Sequence, residues 1–215
     1  MRLDLAMNRR LLSGPLGAVL LAAVLVSAAA PAHAGAPTEQ LKDSVEQIVR
    51  VLEDPALRTE ARAGERRAAI RKKAEVIFDF GETAKRALGR HWQGLAASDR
   101  AEFTVLFTDL IERAYISKIE RYSGERIAFA GESVEGGLAS VRTRFITKKG
   151  TEVPVDYRMQ QRGDRWLVYD VSVEGVSLIN NYRTQFDKII QTSSYAELVR
   201  KMKAAEFAAP GAPRS

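Results

Sequence analysis

Between Arg126 and Val173 apolar residues recur at every second position, and on both sides of that stretch they recur at three- and four-residue steps. A period of two belongs to a strand with one buried face, and a period near 3.6 to an amphipathic helix. The chain is therefore predicted to run helices, strands, helices, an α+β plan. A first helix is expected from Thr38 to Leu52, with Leu41, Val45, Ile48 and Leu52 on one face and Asp54-Pro55 ending it. A charged helix follows from Ala63 to Val76, its narrow apolar side formed by Ile70, Ala74 and Ile77. A short helix over Asp79 to Leu88 is closed by Gly89. Ser98 is the expected N-cap of a long helix reaching Tyr122, with Asp99 in its first turn. On that helix Phe103, Leu106, Phe107, Leu110, Ala114 and Ile119 make one broad stripe, which must face a core or a ligand.

The middle of the chain predicts a twisted antiparallel sheet of about four strands. Arg126 to Ala130 begins it, and Glu135-Gly136-Gly137 is turn chemistry. Val141, Thr143 and Phe145 lie opposite Arg142 and Arg144; after a turn at Lys149-Gly150, Val153, Val155, Tyr157 and Met159 alternate with charged and polar residues. Gly163-Asp164 turns into a last strand beginning at Trp166. Connections this short favour a meander. Two helices follow, Leu178 to Gln191 and one opened by Ser194, whose spacing to Glu197 fits a capping box. No repeat or linker interrupts the pattern. The expected organisation is one domain over residues 35–208 with a flexible tail at 209–215.

The N-terminus changes the picture. Arg2, Arg9 and Arg10 precede the apolar run Leu16 to Val26, and Ala32-His33-Ala34 is a small-x-small cleavage site. Residues 1–34 are thus expected to be a signal peptide, cleaved after Ala34, and the protein to be exported to the periplasm. Cleavage would leave 181 of the 215 residues and lower the net charge from +6 to +4, since three Arg and one Asp depart. The charges that remain are interleaved, as in Asp109-Leu110-Ile111-Glu112-Arg113, which is a solvated face and not a nucleic-acid stripe. The mild positive balance fits transient contact with anionic membranes or acidic docking proteins.

Catalytic chemistry has little to work with. The chain has no cysteine, so disulfides, thiolate metal sites and cysteine nucleophiles are excluded. His91 would be the only histidine after cleavage, and no Gly-x-Ser-x-Gly, phosphate-loop or dinucleotide glycine pattern occurs. No enzyme, no metal and no cofactor is expected.

The stretch RWLVYDVSVEGVSLINNYRTQF, Arg165 to Phe186, has a strand ending in Asp170, a turn through Gly175 and a helix opening at Ser177. With Ile77-Phe78-Asp79-Phe80, Ala87-Leu88-Gly89-Arg90-His91-Trp92, Glu102-Phe103, Phe107 and Tyr115, it resembles the MlaC, or toluene-tolerance, family of periplasmic phospholipid-binding proteins over about Gln40 to Met202. The segment Asp54 to Arg71 departs from the resemblance by its charge. The resemblance implies an apolar pocket between sheet and helices that holds the acyl tails of a phospholipid, carried as cargo between outer and inner membranes to maintain lipid asymmetry. It implies an inner-membrane ABC-type lipid transporter complex and an outer-membrane lipoprotein complex as partners, and a diffusing shuttle is expected to be a monomer. Phe103, Phe107 and Leu110 from the helix and Val141, Phe145, Val153, Val155, Tyr157 and Met159 from the sheet are the expected pocket lining. Arg183 takes either a headgroup phosphate or a structural role. Two alternatives remain open: a hopanoid-associated carrier of a polycyclic lipid, and a ligand-free interaction module whose core is packed solid.

Overall fold

The alternation between Arg126 and Val173 resolves into an antiparallel meander in a computed structural model that describes residues 36–207. The expected signal peptide, residues 1–34, and tail, residues 209–215, lie outside the described residues. The strands are β1 (Arg126–Glu135), β2 (Leu138–Ile146), β3 (Glu152–Arg162), β4 (Arg165–Val173) and β5 (Val176–Ser177), in the order β1-β2-β3-β4-β5. The fifth exceeds the four expected because two residues are too few to show a period. Gly136 (φ 54°) and Gly137 (φ 80°) form the β1–β2 turn, both in the left-handed region that a two-residue hairpin of this twist requires. β1 runs past Ala130 to Glu135, with a register irregularity between Phe129 and Gly131.

The helices are α1 (Ala36–Glu53), α2 (Ala63–Ile77), α3 (Phe80–Leu88), α4 (Ala97–Ile119), α5 (Leu178–Thr192) and α6 (Tyr195–Lys203). Single 3-10 turns occupy Pro55–Leu57, Glu60–Arg62 and Gly89–Trp92. Asp79, Ser177 and Ser194 each cap the helix they precede, accepting from Glu82 N, Asn180 N and Glu197 N. Ser98 does not cap α4. The N-cap position is Ala96, whose carbonyl accepts from Arg100 N, so the helix starts two residues earlier and leaves Ser98 inside it. Its other end is Ile119, short of Tyr122.

Two apolar cores result. On one face of the sheet Ala139, Val141, Val155, Tyr157, Met159, Trp166 and Val168 pack with Leu41 of α1 and Ile77 of α2. α1 is fastened there by polar contacts: Gln40 Oε1 accepts from Trp166 N at 2.8 Å, and Glu132 Oε2 accepts from Thr38 N at 2.8 Å. The second core is helical and joins α3, α4, α5 and α6 through Leu88, Phe103, Phe107, Tyr182, Phe186 and Met202 among others. Its rings meet edge to face, Phe107 with Tyr182 at 5.2 Å and with Phe186 at 5.4 Å between centroids.

The chain crosses from the sheet core to the helical core twice, and an aspartate holds each crossing. At the first, Phe78 bridges to Val168 and Asp79 N donates to Val168 O, while the Asp79 carboxylate caps α3 and accepts from Gln160 Nε2 at 2.9 Å. At the second, β4 runs past Asp170 to Val173 before the chain turns through β5 into α5. The Asp170 carboxylate, 4% exposed, accepts from Ser177 Oγ at 2.7 Å and from Ile179 N at 3.2 Å. Removing it would orphan a buried hydroxyl and a buried backbone N–H together. Asp170→Ala is therefore expected to lower the unfolding free energy by about 2–4 kcal/mol, read by urea denaturation; a loss below about 1 kcal/mol would contradict this role.

Candidate functional site

The seam between the two cores does not close. A cavity of about 140 Å³ lies there, walled by Ile70, Ala74 and Phe78 from α2 and its end, Ile111, Ile116 and Ile119 from α4, Tyr169 and Val171 from β4, and Leu178 and Ile179 from α5. Ile179 belongs to the helical core and Ile111 packs on it, whereas Phe78 and Val171 pack on the sheet core. Tyr169 is the extra residue of a bulge opposite Arg158 and Met159, and Arg86 covers its ring at 3.9 Å.

The polar groups on this wall are already satisfied by protein. Thr83 Oγ1 donates to Asp79 O at 2.7 Å, and Thr108 Oγ1 donates to Thr104 O at 2.8 Å. The Asp170 carboxylate is occupied by Ser177 and Ile179. The cavity therefore presents hydrocarbon almost throughout. Among the described residues, no cluster of three His, Cys, Asp or Glu residues could hold a metal ion.

The rim between α2 and α4 is ionic. Arg71 donates to Glu112 at 2.7 Å and to Asp109 at 3.2 Å, and Arg71 and Glu112 both touch the cavity. One turn earlier on α2 and two turns later on α4, at its C-cap, Glu120 receives two guanidiniums: Arg66 Nη2 at 2.7 Å on one oxygen and Arg67 Nη2 at 3.0 Å on the other. Burial opposes ionisation of Glu120, but the hydrogen bonds from Arg67 and Arg66 outweigh it and hold its carboxyl below the ordinary carboxylate range. The Arg71 pairs are partly exposed, so each contributes only about 0–1 kcal/mol.

The structure divides the lining residues expected from sequence. Phe103, Phe107 and Leu110 sit in the helical core; Val141, Val155, Tyr157 and Met159 sit in the sheet core, with Phe145 and Val153 packed against it. None of the nine is on the wall of the 140 Å³ cavity, and they flank it from its two sides. Of the α4 residues on this wall, the single-stripe reading includes Ile119, on a stripe facing a core or a ligand, and passes over Ile111 and Ile116. They carried a signal, since a helix with apolar residues on a second face needs a second partner.

Arg183 lies elsewhere, in an open groove of about 600 Å³ with charged walls between α3 and α5. Its Nε donates to Arg86 O at 2.8 Å, ending α3 where Gly89 (φ 57°) leaves room for its side chain. His91 Nε2 and Arg90 share Asp187 Oδ1 in the same region, each at 2.7 Å. Unlike the seam, this groove has charged side chains among its walls: Arg90, Arg183, Asp187 and Lys188.

Two phenols near the helical side of the seam are unusual. The hydroxyls of Tyr115 and Tyr182 are buried without a hydrogen-bond partner among the described residues. Burial pushes the Tyr115 phenol up to about 12, and it raises Tyr182 further still, with the neighbouring Tyr115 adding to the effect. A buried hydroxyl without a partner costs about 1–3 kcal/mol. Tyr182→Phe is accordingly expected to leave thermal stability unchanged or raise it, measured by differential scanning calorimetry, and a clear fall would mean that the hydroxyl has a partner.

Comparison with known proteins bears directly on this arrangement. A family profile described as MlaC protein matches residues 42–204. The intermembrane phospholipid transport system binding protein MlaC of Haemophilus influenzae is 23% identical over 142 residues, 64% of this chain and 66% of that protein, so the chain spans a little under two thirds of that relative. A phospholipid-binding protein from Ralstonia solanacearum, solved in complex with a phospholipid, has the same fold at a TM-score of 0.70 and 22% identity, covering 79% of this chain and 96% of the other.

Proposed function

This chain belongs to the MlaC protein family, and from that premise we propose that it is a carrier that buries the acyl tails of a phospholipid in the seam between its two cores. The observation that carries this reading is a cavity with almost purely hydrocarbon walls, in a fold shared with a protein solved holding a phospholipid. Exposing acyl chains to water costs about 0.8 kcal/mol per CH₂, so lipid crosses an aqueous gap only inside something that covers its tails. Such a site needs apolar area and little internal polar specificity.

The volume sets a further requirement. A cavity of 140 Å³ is below the roughly 300–1,000 Å³ typical of ligand pockets, and a two-chain lipid needs more than a small ligand does. Carriage therefore requires the seam to widen. Widening brings the nine residues of the flanking cores, Phe103 and Phe107 on one side and Tyr157 and Met159 on the other among them, towards the tails.

The N-terminal sequence supports action in the periplasm, and no helix among the described residues is long and apolar enough to cross a membrane. The carrier would shuttle between an inner-membrane ABC-type transporter complex and an outer-membrane lipoprotein complex as a monomer. Native mass spectrometry of the purified protein, followed by solvent extraction, tests the reading. A glycerophospholipid released at one per chain is the expected result. A released hopanoid would move the cargo to a polycyclic lipid, and a protein that neither carries lipid nor takes it from vesicles would overturn the carrier reading.

A further inference from the structure

The charge of the segment Asp54 to Arg71 is not needed to build either core. Of the residues of α2 only Ile70 and Ile77 are buried. Yet Arg66, Arg67 and Arg71 all reach across to carboxylates of α4, which places this charge on the rim of the seam.

Beyond the Arg66–Glu120 pair, one helical turn from the hydrocarbon wall, lies a polar hollow of about 440 Å³. Arg58, Arg66, Glu53, Glu120, Tyr122 and Ser123 are on its walls. Arg58 is exposed and makes no ion pair among the described residues. The cavity, the ion pairs and the hollow thus follow one another along α2 and α4: hydrocarbon, then guanidinium, then a wet space. A phospholipid has the same order of tails, phosphodiester and headgroup.

We propose that this hollow is the headgroup site, and that Arg58, Arg66 and Arg67 bind the lipid phosphodiester in place of the Glu120 carboxylate. This assignment rests on the carrier reading above. Its chemistry is a ligand exchange between anions on the same donors. A guanidinium fork matches the two free oxygens of a phosphodiester as well as it matches a carboxylate. Glu53 and Glu120 stand on the same wall as Arg58 and Arg66, and Arg58, in no ion pair among the described residues, is the guanidinium that an incoming anion meets without displacing a carboxylate. The exchange also explains how the seam opens: when the phosphate takes the arginines, the tie between α2 and α4 at Glu120 is released where the tails must pass. Arg71, with Asp109 and Glu112, is the remaining tie on that rim.

The test compares two lipids with the same tails, phosphatidylglycerol and diacylglycerol, each presented to the full exported protein in vesicles. Arg58→Gln changes one exposed side chain that makes no ion pair among the described residues, so the fold and the tie at Glu120 are left as they are. It is expected to weaken phosphatidylglycerol binding about tenfold, the effect of losing a charge-assisted pair, and to leave diacylglycerol binding unchanged. Glu120→Gln removes the internal competitor and is expected to act in the opposite direction, strengthening phosphatidylglycerol binding and speeding its uptake. Equal losses for both lipids, or none for either, in a protein that takes up lipid normally would overturn the headgroup site while leaving the carrier reading intact. A protein that binds inorganic phosphate here but treats the two lipids alike has a free-anion site, and the assignment fails. Wild-type protein that takes up neither lipid would overturn both readings.

Discussion

The rest of the structure depends on how the two apolar cores are joined. A sheet core and a helical core in one small domain ordinarily merge, because every unfilled space between them forfeits dispersion contacts. Here the chain passes between them at Phe78–Phe80 and again at Asp170–Ile179, and both crossings border the same cavity. Asp79 and Asp170 fix those crossings by accepting from the sheet side and the helix side at once. They act as the closed edge of the seam. Loss of Asp170 would orphan groups shut away from water, and loss of Asp79 would uncap α3 and free Gln160 from the sheet side.

Another stretch of the seam's border is built on a different principle. Between α2 and α4 the tie is ionic: Arg66 and Arg67 on Glu120, Arg71 on Asp109 and Glu112. The Arg71 pairs, partly exposed, form and break at little net cost, whereas Arg66 and Glu120 are each only 11% exposed and make the firmer tie, released only when another anion takes the guanidinium. The seam is thus bordered by two kinds of tie, hydrogen bonds buried at Asp170 and ion pairs between α2 and the end of α4. That asymmetry is what a reversible carrier needs, since tails must be held against water and still be surrendered to a membrane.

Much of the fold was legible because it is written in periods. Alternation found β2 and β3, and the Gly136-Gly137 and Gly163-Asp164 turns fixed their partners. Ser177 and Ser194 were readable as caps because each sits directly ahead of an apolar period. Ser98 misled for the same reason: it has the right side chain, but α4 begins at Ala97, and a cap is decided by backbone conformation as well as by residue type. The candidate site was harder. Val155 and Met159 face inward with the period of a lining, but what lies across from an inward residue is set by tertiary packing, so a core residue and a lining residue share one signature. For Arg183 the sequence leaves a phosphate ligand and a structural role both open, because an arginine near a helix start serves either; its Nε donates to Arg86 O at the end of α3, a bond of the structural kind. The charge of Asp54 to Arg71 had no reading from sequence, because its meaning depends on Glu120 some fifty residues away.

The central claim is that lipid tails occupy the seam between the two cores, and photo-crosslinking tests it most directly. A phosphatidylglycerol bearing a diazirine near the end of an acyl chain would be loaded into the protein, irradiated, and the adducts mapped by peptide mass spectrometry. The account predicts adducts on residues of the seam, such as Phe78, Ile111, Ile116 and Val171, and on the core residues it parts. Adducts confined to the outer face of the sheet, or to the charged groove around Arg183, would contradict it.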